Sequence, residues 1–315
     1  MLRSICLLTL VSLFSGPLRA IVVVSGDGSS SVVAFNQIVD GVNLNGVVKV
    51  VNSGGIGCSG SLLSDGYSIL TAGHCIAAYG AALPSYVDVY FPGAGGLVDY
   101  TATTYFVDPF WTGDSTQGND LAMIRLNQAA PSSATRYSLY TGMLIDDPIL
   151  LAGYGQTGTG TTGNSGGSGT LRQGNNRYDT AGSGVGWSDN VLVGDFDNGT
   201  ADNNALGTTD LDITDEVDLG FGDSGGPSFY GGKIIGVHDL IACLVETSSG
   251  PCKKPPSLST VDNSYFGQLF VDASVSSSAA WIESAETPEP ASCSLVLLGL
   301  AIAGFSRCRS GRRPS

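Results

Sequence analysis

The sequence predicts an all-β protein, and three observations carry that expectation. Glycine accounts for 45 of the 315 residues, charged side chains for only 13%, and strong helix formers are sparse. Short apolar runs recur between clusters of Gly, Asn, Asp and Ser, the pattern of strands separated by turns. A chain of this length can bury a substantial core and hold one or two domains.

Taken in order, residues 1–20 place Arg3 ahead of an apolar stretch from Ile5 to Phe14, then a Gly16-Pro17 break and Leu18-Arg19-Ala20. That order is expected of a secretory signal peptide cleaved after Ala20. Strand candidates follow at 47–51, 61–63, 68–71, 87–91, 101–107, 122–126, 149–152, 191–193, 233–237 and 265–271, a spacing that suits a barrel or sandwich. Residues 153–169, rich in Gly, Ser and Thr, are expected to form a long surface loop without regular structure. A second irregular segment, 195–223, holds nine carboxylates and no Lys or Arg. Residues 276–285 suit a short closing helix before a Thr287-Pro288 linker.

At the far end, Pro288-Glu289-Pro290 precedes an apolar run over 295–305, followed by Arg307, Arg309, Arg312 and Arg313. Eleven residues span about 16 Å as a helix, short of the roughly 30 Å hydrocarbon core, so a transient anchor fits better than a permanent span. The order resembles the PEP-CTERM sorting signal of bacterial surface proteins. The resemblance makes 288–315 a sorting tail and an exosortase-type enzyme a partner. It implies export to the cell surface, periplasm or extracellular matrix, with membrane contact only through the tail.

The chain carries 28 acidic and 14 basic side chains. Six of the basic ones lie at the two ends, leaving residues 21–287 with 27 acidic against 8 basic groups. Such a body repels phosphate backbones, which argues against a nucleic-acid partner. Outside the two end segments the cysteines are Cys58, Cys75, Cys243 and Cys252. An even count in an exported chain suggests two disulfides, with Cys58–Cys75 and Cys243–Cys252 as the near pairs, although spacing does not fix connectivity. A zinc site is the rival reading, weakened by the lack of a Cys-x-x-Cys and by only two histidines.

Hydrolysing an amide at neutral pH requires a nucleophile, a base, a group to orient that base, and donors for an oxyanion. Three segments hold suitable residues: Thr71-Ala72-Gly73-His74-Cys75, Gly118-Asn119-Asp120-Leu121-Ala122, and Gly222-Asp223-Ser224-Gly225-Gly226-Pro227. Together, and in that order, they resemble the signatures of the trypsin/chymotrypsin superfamily over residues 21–285. The resemblance implies two six-stranded antiparallel β-barrels, over 21–135 and 136–287, packed with the active site between them. It implies a serine endopeptidase acting on protein or peptide substrates without a cofactor. His74 is then the general base, Asp120 its orienting partner and Ser224 the nucleophile, with the amides of Gly222 and Ser224 as the oxyanion hole.

In that family a free Ile-Val terminus inserts beside the acid before the nucleophile, here Asp223. Signal cleavage would expose Ile21-Val22, while Ile38-Val39-Asp40-Gly41 offers a rival terminus. Asp218 stands where trypsin-like members carry the pocket aspartate, which implies cleavage after Arg or Lys. Two departures weigh against this: Gly220 replaces an expected half-cystine, and Gly236-Val-His-Asp-Leu240 replaces a Ser-Trp-Gly pocket wall. His238-Asp239 is expected to line the pocket. Asp195, Asp197 and Asp202 are candidates for an irregular Ca²⁺ site, against the plainer reading of a solvated acidic loop. Two other functions compete: a surface-displayed binding protein on a degenerate protease fold, and an esterase using the same residues.

Overall fold

The computed structural model describes residues 21–23, 31–201, 203–207, 216–243 and 263–286. The first half is built from β1 (Val47–Asn52), β2 (Gly57–Leu62), β3 (Ser68–Thr71), β4 (Val87–Phe91), β5 (Val98–Ala102), β6 (Thr104–Val107) and β7 (Ala122–Arg125). These pair antiparallel in the order β6-β7-β3-β2-β1-β4-β5. β4 shows the period-two logic: Val87, Val89 and Phe91 are buried, while Asp88 and Tyr90 are only partly covered.

The second half holds β8 (Pro148–Gly153), β9 (Arg172–Arg177), β10 (Thr180–Ala181), β11 (Val191–Asp195), β12 (Pro227–Tyr230), β13 (Lys233–Ala242) and β14 (Leu269–Ser274). Their order is β10-β11-β14-β13-β12-β8-β9, and Ser31–Val32 adds an eighth strand beside β9. The expected pair of antiparallel β halves is therefore present, with sheets of seven and eight strands where six-stranded barrels were implied. One apolar cluster spans both halves, joining Leu62, Ile69 and Met123 to Leu150, Phe229 and Val237. The closing helix α1 (Val275–Glu286) buries Val275 and Ile282 in the same cluster. Its last residue is held by Arg125, whose Nη1 donates to the Glu286 carbonyl at 2.8 Å.

Two expectations need correction. The glycine-rich segment is not without regular structure: Thr157–Thr159 and Gly163–Asn164 pair as a hairpin. Their small residues are what allow it, because a Cβ on Gly158 would fall 1.8 Å from the Gly163 carbonyl oxygen. The hairpin is further fixed by Ile21–Val23, which runs parallel to Thr157–Thr159 and antiparallel to Val217–Asp218. β9 was missed altogether. Its Arg-Gln-Gly-Asn-Asn-Arg sequence has no apolar alternation, yet Arg172, Gln173 and Asn176 are buried. Asn176 makes this workable by donating through Nδ2 to the carbonyls of Asp195 and Val217.

Candidate active site

β3 ends at Thr71, and a single helical turn, Gly73–Ile76, carries His74 to the edge of the cleft between the sheets. Cys75 is joined to Cys58 of β2 by a disulfide, which ties the backbone beside His74 to the sheet. Cys243 is also disulfide-bonded, and Cys252 lies outside the described residues. Asp120 sits just ahead of β7, after Gly118 and Asn119 turn the chain with positive φ angles of 71° and 62°. Its side chain is fully buried while that of His74 is 33% exposed. Asp120 Oδ1 accepts the main-chain N–H of His74 at 2.8 Å, and Oδ2 contacts Nδ1 of the ring. A Cβ at position 73 would lie 2.8 Å from Asp120 Oδ1, so glycine there makes the approach feasible.

Burial works to raise the Asp120 pKa. The hydrogen bonds and charge of His74, with the neighbouring Asp239 carboxyl, outweigh it and hold the carboxyl below its usual range. An ionised Asp120 can only accept, so Nδ1 carries the ring proton and Nε2 is left as an acceptor.

Ser224 lies in the turn between Val217–Asp218 and β12. Its carbonyl accepts from Ser59 N at 2.8 Å, and Ser59 Oγ donates to the Gly222 carbonyl at 2.9 Å. Gly225 has φ +79°, and a Cβ there would come within 2.1 Å of Thr71 Oγ1. β2 and β3 thus clamp the serine turn from the other half of the molecule. Among the described residues, the amides of Gly222 and Ser224 make no hydrogen bond within the protein. Nor does any hydrogen bond join the Ser224 hydroxyl to the His74 ring. The Cys75 sulfur marks how near the two come, lying 3.8 Å from His74 Nε2 and 3.5 Å from the Ser224 carbonyl oxygen.

The cleft has a volume of about 270 Å³ and is lined by His74 and Ser224 with Leu219, Gly220 and Phe221 on one side and Asp239, Leu240 and Ile241 on the other. Asp218 is not part of that lining; it is fully buried, with Oδ1 accepting from Leu219 N at 2.7 Å. His238 does not line the cleft either. Its side chain is completely buried and Nδ1 lies 3.0 Å from Asp272 Oδ1. Of the expected pair, only Asp239 reaches the site. The apolar side chains at 219, 221, 240 and 241 had no motif to announce them; only the pairing of the strands brings them around Ser224.

Asp223 is buried behind Ser224, where its carboxylate accepts from Gly155 N and Gly220 N, both at 2.7 Å. Burial pushes its pKa up to about 6, against the opposing effect of those amides and of the His238 and Arg172 charges. Ile21 and Val22 are both fully buried, and Ile21 packs with Val217 and Leu219. Ile38, the rival terminus, is 67% exposed in a two-strand hairpin. Asp195 and Asp197 turn their carboxylates inward to main-chain amides: Asp195 Oδ2 accepts from Leu206 N at 3.0 Å and Asp197 Oδ1 from Gly199 N at 2.5 Å. Asp202 lies outside the described residues.

Comparison with solved structures shows the fold class. The chain is similar to neuropsin, a serine protease expressed in the limbic system of mouse brain, with a TM-score of 0.54 and 16% identity over 78% of this chain and 95% of that one. It is also similar to a scabies mite inactivated protease paralogue, with a TM-score of 0.55 and 17% identity over 81% of this chain and 99% of that one. The fold is therefore that of the trypsin-like serine proteases. Residues 42–251 match the family described as Trypsin, and the chain belongs to it. Residues 286–313 match the PEP-CTERM protein-sorting motif, which indicates export and an exosortase-type sorting system. No curated protein matches the chain. Among the described residues, no helix is long and apolar enough to cross a membrane.

Proposed function

We propose that the protein is an exported serine endopeptidase in which Ser224 attacks the scissile carbonyl while His74 Nε2 takes the hydroxyl proton. His74 then returns that proton to the leaving amine, freeing it and leaving an acyl-enzyme that water hydrolyses by the same route. Asp120 holds the ring in the required tautomer and stabilises the imidazolium. The amides of Gly222 and Ser224 donate to the oxyanion, each worth roughly 3–4 kcal/mol in comparable sites. The observation that carries this reading is the His74–Asp120 contact in a cleft shared with Ser224, beside two amides left without an internal partner.

The lining favours an uncharged, apolar side chain in the substrate over Arg or Lys. Leu219, Phe221, Leu240 and Ile241 surround the serine, whereas the Asp218 carboxyl is covered. A peptide-library cleavage profile tests both parts. Cleavage after apolar residues is expected, and the Ser224→Ala protein should lose several orders of magnitude in kcat. Cleavage confined to sites after Arg and Lys would defeat the specificity reading, and unchanged activity in Ser224→Ala would defeat the mechanism.

One observation favours a second reading, a binding protein on the same fold: the Ser224 hydroxyl makes no hydrogen bond to His74. Covalent labelling of Ser224 by an active-site serine reagent separates the two, since a binding protein would stay unlabelled.

A further inference from the structure

β13 and β14 fall out of register between His238 and Leu240: His238 pairs with Asp272 and Leu240 with Val271, so Asp239 is the extra residue of a β-bulge. Bulges of this kind re-aim side chains beside active sites. Here the bulge directs a second carboxyl at the His74–Asp120 pair. Asp239 Oδ1 lies 4.0 Å from His74 Nδ1 and accepts the Ser115 hydroxyl at 2.6 Å. Its side chain is wholly covered, and one atom from each of His74, Asp120 and Asp239 falls within 4.8 Å of the others. The carboxyl groups of Asp239 and Asp120 lie side by side, with an oxygen of each within 4.8 Å of the other, and both side chains are fully buried.

Two ionised carboxylates this close and this buried repel each other, which favours one of the pair being the acid. Asp120 already accepts from both the main chain and the ring of His74. Asp239 has one oxygen occupied by Ser115, while Oδ2 has no donor among the described residues, as befits an O–H in search of an acceptor. We propose that Asp239 is a positioning residue for the reaction: a neutral carboxylic acid that donates to Asp120 and holds the Asp120–His74 pair in its working geometry. This rests on the endopeptidase reading above.

The groups facing Asp239 are His74 on its helical turn, Asp120 ahead of β7, Ser115 in the turn before it, and Asp272 across on β14. Burial and the charge of Asp120 both oppose its ionisation, with Asp272 adding to them and Ser115 opposing. Its proton is therefore held more tightly than that of an ordinary carboxyl. Once lost, the donor to Asp120 disappears and a second negative charge stands beside Nδ1.

Two variants and two readouts test this. Asp239→Asn keeps a donor but cannot ionise; it should hold kcat/KM within about threefold on the acid side of the parent's Asp239 inflection, and lack that inflection. Asp239→Ala removes the donor and should lower kcat about 10- to 100-fold with KM little changed. Equal losses in the two variants, or an undiminished kcat in Asp239→Ala, would overturn the proposal. The second readout needs no turnover: ring ¹⁵N shifts of His74 followed across pH in a Ser224→Ala background, assigned as the signals lost in His74→Gln. An inflection from loss of the Asp239 proton is expected, absent from Asp239→Asn; its persistence there overturns the proposal even if Asp239→Ala does not fold. A protein without serine-dependent turnover would sink the endopeptidase reading and leave this measurement standing.

Discussion

At Asp223 a buried carboxylate has main-chain donors from Gly155 and Gly220 and a pKa pushed up to about 6. A carboxyl whose folded-state value exceeds its unfolded one stabilises the fold while protonated, and that contribution is lost as pH rises. For the unprocessed chain the loss should run from about pH 4 through about 6 and amount to roughly 3 kcal/mol. We propose that signal removal at Ala20–Ile21 supplies the remedy, an α-ammonium at a residue already buried and packed on Leu219. Urea unfolding of the unprocessed and processed forms at pH 4.5 and 7.5 checks this. The processed form should keep its stability at the higher pH, and N-terminal sequencing should begin at Ile21. A start at Ile38 would remove this role from Ile21.

At the scale of single elements, the strand pair β2–β3 with its helical turn does most to place His74. The Cys58–Cys75 disulfide closes a separation of 17 residues across it. Loop-closure arguments put such a link at about 3 kcal/mol. A Cys58→Ser/Cys75→Ser double variant should unfold at correspondingly lower denaturant, and kcat should fall more than KM rises because the ring loses its fixed backbone. Unchanged kcat would show that β3 and Asp120 alone suffice to hold the imidazole. The near pairing of these two cysteines was legible in the sequence because export and an even count both pointed to it. Apolar strands such as β4 were legible for a similar reason, alternation. β9 was not, since its buried polar residues are accommodated by partners far along the chain, such as Val217 for Asn176. The bulge at Asp239 was equally invisible, because a register shift belongs to two strands and leaves no mark on either one.

For the whole molecule, the two sheets share one core, and the closing helix seals it with Val275 and Ile282. Glu286 marks the end of the described body, held there by Arg125 and by the Ser64 hydroxyl at 3.2 Å. Deleting residues 288–315 should therefore leave Tm and kcat unchanged while freeing the protein from the cell surface. A fall in Tm of several degrees would mean that the tail contributes to the fold. Deletion from residue 275 should instead expose the core and prevent folding. The division into body and tail was legible from composition alone; the joining of the halves was not, because the sequence does not say which apolar faces meet.

Among the described residues, Ile21–Val23 pairs with Thr157–Thr159, some 136 positions downstream, and with Val217–Asp218, nearly 200 positions downstream. During synthesis this segment has nowhere to settle until most of the polypeptide has emerged. A ribosomal product broken off before that point leaves the first residues unplaced and the surroundings of Asp223 unbuilt. The seat proposed for Ile21 is thereby available only once the chain is nearly complete.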